Sequence, residues 1–329
     1  SPQWAATRVQ DWYGHVPQGL QNWAGTLAAT RRDDPLAGES LLQLIRDSGT
    51  PAIARATALS QVGPYLDAQS LDVLTDGLWD DDPVVRAATM SMLEQLPAGL
   101  RVQLAFPFLE DDIRAVRIEA ARVLATVPAG DLDDRQRLLL KQGIQEFIAS
   151  QLASAERPEA QTNLGNLYTQ RGQWQQGERA YRTAIELNPA YTPAWVNLAD
   201  LYRGRQDEAA ADRTLREAIA GLPGVADLHY ALGLSLIRQQ QAAAAVAELQ
   251  QAATLDPDNA RYVYVYAVAL NSTGKPGEAL LVLQGAHNRF PNNLDILGAL
   301  IAFNRDQGNP GAASRYSQKL QALQPATSP

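Results

Sequence analysis

Cysteine is absent from the chain, which excludes disulfides, zinc–thiolate sites, iron–sulfur clusters and covalent C-x-x-C-H haem attachment within it. Histidine occurs three times, at His15, His229 and His287, too far apart in sequence for a local metal site. No uninterrupted apolar run approaches the roughly 18 residues that a membrane-crossing helix needs. Basic residues are neither in excess nor clustered: 28 Lys and Arg stand against 36 Asp and Glu, for a net charge of −8. That balance argues against a nucleic-acid-binding surface. The phosphate-cradling G-x-x-x-x-G-K-[ST], the dinucleotide G-x-G-x-x-G, the nucleophile elbow G-x-S-x-G and the zinc motif H-E-x-x-H are all missing. The expectation is a chain that catalyses nothing and holds no cofactor. The residues from Ser1 onward do not read as a secretory leader, which also fits a chain whose leader has been removed.

What the chain does have is repetition. Pro189, Pro223, Pro257, Pro291 and Pro325 stand 34 residues apart. In that frame one column holds Leu164, Leu198, Leu232, Tyr266 and Leu300, and the next Gly165, Ala199, Gly233, Ala267 and Ile301. A bulky column follows with Tyr168, Tyr202, Leu236 and Leu270, then Asn304. Small residues return at Gly177, Ala211, Ala245, Ala279 and Ala313, and again at Ala184, Ala218, Ala252 and Ala286. Between them lie Tyr181, Leu215, Leu249 and Leu283. Helix backbones approach closely only where one presents Gly or Ala and the neighbour's large side chain fills the hollow. This alternation over paired antiparallel helices, closed by proline, resembles the tetratricopeptide repeat family across residues 158–327.

The segment RYVYVYAVALNSTGK (261–275) tests that frame, because alternating Tyr and Val favours a strand. Register decides for a helix: Val263, Tyr266, Ala267 and Leu270 fall at helical spacing in their columns, and a lone strand in a helical array has nothing to pair with. A second period, of 31, appears upstream. Arg55, Arg86 and Arg117 align, followed in register by Ile53, Val84 and Ala115 and by Val62, Leu93 and Leu124 as apolar partners. Asp or Thr opens each of these helices as an N-cap, with Pro in the first turn of some. About three such units, within 37–130, resemble HEAT repeats.

The expected layout is therefore a helical pair over 1–36, HEAT-like repeats over 37–130, a connecting helix over 131–157 and five tetratricopeptide repeats over 158–327. Together they make an all-α, right-handed solenoid superhelix. Trp4, Trp12 and Trp23 are expected to anchor the first pair, and Leu138, Ile144, Ile148 and Leu152 to form the buried stripe of the connecting helix. The acidic runs WDDDP and LEDDI lack the D-x-D-x-D-G pattern of a calcium loop and read as helix caps. His229, in the column of Trp195 and Val263, reads as a packing imidazole, and His287 as a cation at a helix end. Asn304 and Ser317 break the core pattern in the last unit, which suits a terminal repeat with no further neighbour.

In the resembled family the first helix of each hairpin lines a concave groove. The residues placed there are Asn166, Asp200, Arg203, Tyr230, Arg238, Arg261, Tyr264, Asn271 and Arg305. Arg and Tyr dominate binding hot spots and Asn bonds peptide backbone, so a protein or extended peptide is the expected partner. Family members that grip a terminal carboxylate use a basic and Asn set: Asn166 and Asn197 resemble its Asn members, but Thr162 and Asp227 stand where Lys is expected, which argues against that mode. Several stretches, among them SPQWAATRVQDWYG, PAIARATALS and NARYVYVYAVALNSTGK, also resemble, in order, the C-terminal part of bacterial secreted multihaem c-type cytochromes with tetratricopeptide repeats. This resemblance implies a periplasmic or extracellular scaffold beside a c-type cytochrome or other redox protein. The alternative it implies is the haem-free repeat portion of such an electron-transfer protein.

Overall fold

The computed structural model describes residues 2–14, 22–30, 34–66 and 72–323. His15 and the tail that contains Pro325 lie outside them. The described residues form helices and connecting turns with no strand, and the chain divides into two units, residues 1–89 and 90–329. None of the helices is long and apolar enough to cross a membrane.

The first unit holds α1 (Pro2–Tyr13), α2 (Asn22–Thr30), α3 (Gly38–Arg46), α4 (Ala52–Gln61), α5 (Asp72–Leu78) and α6 (Pro83–Met92), in which it ends. Its core is built from Leu41, Leu59, Val62, Leu74 and Leu78. A Cβ on Gly77 of α5 would fall 2.4 Å from Thr89 Oγ1 of α6, so glycine sets that approach. Trp4 and Trp12 do not anchor α1: they expose 62% and 71% of their surface, while Leu27 and Thr30 of α2 are the buried residues where α2 packs on α3 and α4.

The 31-residue period carries half of the expected stripe: Val62, Leu93 and Leu124 are buried, but the other three positions are not. Ile53, Val84 and Ala115 are exposed, and the buried positions are one residue later, at Ala54, Val85 and Val116. The pair of neighbours at each site is apolar, so periodicity alone does not choose between them. The arginines choose. Arg86 Nη1 donates to the carbonyls of Asp80 (2.9 Å) and Asp81 (3.1 Å), and Arg117 Nη1 to those of Asp111 (2.7 Å) and Asp112 (3.2 Å). Arg55 Nε likewise donates to the Thr50 carbonyl (3.2 Å). Tying each arginine back to its own entry turn fixes the rotation of its helix. Asp82 does cap, accepting from the Val84 amide at 2.8 Å, whereas Asp111 accepts from the Ile113 amide (2.8 Å) ahead of α8, whose first flanking residue, Ile113, carries no side-chain cap. Thr50 does not cap: its hydroxyl donates to Asp47, and the residue before α4 is Pro51 with no side-chain cap.

The second unit begins with α7 (Ala98–Ala105), α8 (Arg114–Leu124) and α9 (Asp134–Leu152). Asp133 and Gln136 close a reciprocal capping box at the start of α9. The buried stripe of α9 is Leu140, Gly143, Ile144 and Phe147, not Leu138 and Leu152, which are exposed. Gly143 decides the rotation, since a Cβ there would lie 2.8 Å from that of Ala121 on α8.

Five hairpins follow. Their first helices are α10 (Pro158–Gln170), α12 (Thr192–Gly204), α14 (Ala226–Arg238), α16 (Ala260–Ser272) and α18 (Leu294–Asp306). Their second helices are α11 (Trp174–Leu187), α13 (Glu208–Gly221), α15 (Ala242–Leu255), α17 (Pro276–Arg289) and α19 (Pro310–Leu323). Starts recur every 34 residues in both series, and the Tyr–Val segment is helical within α16. The size columns interlock. Cβ atoms on Gly165 and Gly233 would sit 2.4 Å from the Tyr181 ring and 2.7 Å from Leu249. In the last hairpin the sizes are exchanged, with Ile301 buried where others are small and Ser317 where others are large. Asn304 is not a solvent-facing terminal residue. It is buried, and its Nδ2 donates to the Leu300 carbonyl at 2.7 Å, satisfying the amide within its own helix.

Three of the repeat prolines end their units with a carbonyl that later residues tie down. Trp195 Nε1 donates to the Pro189 carbonyl (2.9 Å), His229 Nε2 lies 3.1 Å from that of Pro223, and Arg289 Nη1 donates to that of Pro257 (2.6 Å). His229 is buried and also holds Glu248 through Nδ1 at 2.6 Å. His287 is not a helix-end cation. Burial and the ammonium of Lys319, which donates to its Nε2 at 2.9 Å, hold it below the usual imidazole range, so it packs as a neutral ring.

Each hairpin turns through a residue with φ between +59° and +78°: Gly172, Gln206, Gln240, Gly274 and Gly308. Two glutamines thus occupy a left-handed position that favours glycine. Gln206→Gly and Gln240→Gly are each expected to stabilise the protein by about 0.5–1 kcal/mol in urea unfolding, after the entropy of glycine is set against the strain it relieves. A second expectation concerns the interlock. Gly165→Ala alone destabilises by about 1–3 kcal/mol through overpacking. With Tyr181→Leu in place the same change is neutral or stabilising, because the helix propensity of Ala then dominates by about 1 kcal/mol. A double-mutant cycle with no coupling would refute the contact.

Candidate functional site

First helices touch one another in series, α10 with α12, α12 with α14 and α16 with α18, so they form one wall of the second unit. A residue on one first helix meets the residue 31 further on, one helical turn short of the 34-residue repeat. Asn197 Nδ2 donates to Asn166 Oδ1 at 2.9 Å, and Arg261 Nε to the Tyr230 hydroxyl at 2.9 Å. Asn166 Oδ1 also accepts from the Tyr181 hydroxyl of α11 at 2.7 Å.

Between α12 and α14 the wall opens into a cavity of about 390 Å³, within the size range of small-ligand or side-chain pockets. Its floor is apolar, with Val196 and Ala199 of α12, Ala211 and Leu215 of α13, and Ala231 and Leu234 of α14. Asn197, Asp200, Asp227, Tyr230 and Arg238 frame it. Asp200 accepts from Arg203 Nε at 2.9 Å, and Arg238 Nε lies 3.6 Å from Glu208. Of the polar groups at the mouth, Arg238 is the loosely paired one.

The far side of the cavity is stiffened from α16. Tyr262, buried, donates its hydroxyl to Asp227 and stacks obliquely on Tyr230 with ring centroids 4.7 Å apart. The Arg261 guanidinium sits 5.7 Å from the Tyr230 ring centroid. Burial first, then the bond to Asp227 and its charge, push the Tyr262 phenol far above the usual tyrosine range.

Of the nine residues placed on this face from sequence, Asp200, Tyr230 and Arg238 line the cavity. Arg261 reaches it through Tyr230, and Arg203 through Asp200. Asn166 stands one helix back, bonded to Asn197. Tyr264 packs half-buried against the core of Leu280, Leu283 and Leu300. Asn271 lies at the end of α16, where its carbonyl accepts from the Gly274 amide, and Arg305 is exposed in the last turn of α18. The latter three lie outside the lining. Tyr262 is part of the site without having been placed on it, and Asn197 and Asp227, named from sequence only as positions of the carboxylate-gripping set, line the cavity as well. The 31- and 35-residue offsets between first helices, which join Asn166 to Asn197 and Asp227 to Tyr262, are the sequence signal that finds them.

Models of the tetratricopeptide repeat match residues 158–191 and 230–293, so the chain carries tetratricopeptide repeats. No curated protein matches it. Among solved structures it is similar to MamA, at 18% identity and TM-score 0.43 over 50% of this chain and 91% of that one. It is also similar to YrrB, described as a TPR protein with an unusual peptide-binding site, at 21% identity and TM-score 0.41 over 52% and 89%. A third is pilF of Pseudomonas aeruginosa, at 21% identity and TM-score 0.44 over 53% and 79%.

Tyr262→Phe is expected to lower stability at pH 7 by about 1 kcal/mol. A phenol whose folded-state pKa is raised contributes stability that is complete below the unfolded value near 10 and is lost as pH rises above it. The gap between parent and variant in urea midpoint therefore narrows above about pH 10. A gap that widens there, or stays constant, contradicts the assignment.

Proposed function

We propose that the wall of first helices binds an extended segment of a partner protein, with the cavity between α12 and α14 as its anchor, and that the chain is a scaffold that catalyses nothing. The observation that carries this reading is the cavity itself. An apolar floor takes one side chain of the segment, while the Asn197 amide and the Asp200 and Arg238 side chains at its rim bond the backbone and neighbouring polar groups. Tyr230, held by Tyr262 and Arg261, gives a rigid aromatic edge, and a preorganised edge loses little entropy on binding. The partner we favour is an exported redox protein, a c-type cytochrome included, in a periplasmic or extracellular setting. That choice is supported by the ordered resemblance of several segments to multihaem c-type cytochromes with tetratricopeptide repeats.

Peptides selected by phage display on the whole protein provide the test. Asn197→Ala combined with Arg238→Ala is expected to weaken the best peptide at least tenfold while the melting temperature stays within a few degrees. Unchanged affinity in that variant overturns the groove assignment.

A further inference from the structure

A second cavity, of about 440 Å³, lies away from the groove where the turn 125–132, α9 and the end of α10 meet. Its chemistry differs from that of the first. The buried side chains of Val127, Leu132, Leu140 and Ile144 form an apolar floor. Arg137, Lys141 and Arg171 stand around it, all exposed enough to meet solvent. Arg137 and Lys141 are four residues apart on α9 and so share one face of that helix.

These cations are poorly neutralised in a chain of net charge −8. Among the described residues Lys141 and Arg171 make no ion pair, and Arg137 has only the fully exposed Asp134. Glu94, which accepts from the amide of the lining residue Gln170, is also taken by Arg122. Behind the lining residue Thr126 lies a fourth cation. Arg101 Nη1 donates to Thr126 Oγ1 (2.6 Å) and to the Val123 carbonyl (3.0 Å), both neutral, and its Nε is buried without an acceptor. A site that is cationic at the rim and apolar at the base selects an anion with an apolar body. A bare phosphate would leave the floor wet, and a neutral apolar group would leave the cations unanswered.

We propose that this cavity binds the C-terminal residue of a partner peptide, its carboxylate between Lys141 and Arg171 and its apolar side chain on Leu132, Leu140 and Ile144. The site is independent of the groove between α12 and α14 and stands whether or not that groove binds a segment. The open mouth lets the rest of the peptide leave toward solvent. The carboxylate answers the rim charges, and the side chain takes the floor from water.

The probes are acetyl-Ala-Leu with a free carboxylate, the same dipeptide as its C-terminal amide, and inorganic phosphate, titrated into the whole protein at low salt by calorimetry or chemical-shift change. The acid is expected to bind at least tenfold more tightly than either the amide or phosphate, and to weaken as ionic strength rises. Lys141→Met with Arg171→Met, both at exposed positions, is expected to reduce its affinity at least tenfold with an unchanged melting temperature. Arg238→Ala in the groove leaves the acid's affinity unchanged. Equal binding of acid and amide, phosphate binding as tightly as the acid, no binding of the acid, or full affinity in the double variant each overturns the proposal.

Discussion

Two helix backbones approach closely only where one of them carries almost no side chain, and the hairpins from residue 158 onward depend on that constraint. Gly165 under the ring of Tyr181 and Gly233 under Leu249 leave no room for a Cβ, and Ala takes the same place at 199 and 267. The contact fixes the rotation of both helices in a hairpin. Rotation then determines which side chains of the first helix face the next hairpin and which face the open wall. The offset of 31 that joins Asn166 to Asn197 and Tyr230 to Arg261 is a geometric product of the same packing. Site and core are two sides of one helix register.

The two cavities stand in different relations to this regularity. The first lies between two hairpins whose turns are held by Gln206 and Gln240 in the left-handed region, the only described non-glycine residues with positive φ. The second lies where α9 ends one packing scheme and α10 begins another, so no repeated neighbour fills the space above Leu140 and Ile144. Regular repeats bury their small-to-large contacts fully.

Much of the architecture was legible in the sequence because helix boundaries follow the 34-residue columns to the residue. The Tyr–Val alternation in α16 misleads at short range, yet the long period outweighs it: Tyr262, Ala267 and Leu270 are buried as helix positions. Stripe rotation was less legible where both neighbours are apolar. Ile53 and Ala54, or Val84 and Val85, are indistinguishable by hydrophobicity, and the choice is made by arginine bonds to backbone carbonyls that no pattern of residue types displays. α9 shows the same limit, its rotation fixed by Gly143 against Ala121. At the site, residue type identified Asp200, Tyr230 and Arg238 as facing the wall, but depth depends on which neighbour is absent, and so Tyr264 was placed with them although it packs into the core.

The size-matched pairs have a bearing on how such a chain gains and loses units. Gly165 and Tyr181, or Gly233 and Leu249, belong to one hairpin and lie on opposite sides of its turn. Unequal crossing-over inside a hairpin can join Ala199 of one unit to Tyr181 of another, or Ile301 to Leu283, and so set two bulky partners against one contact. A crossover at the proline between hairpins keeps every such pair intact. A joint at the proline turns is therefore the one that preserves every pair whichever units are exchanged.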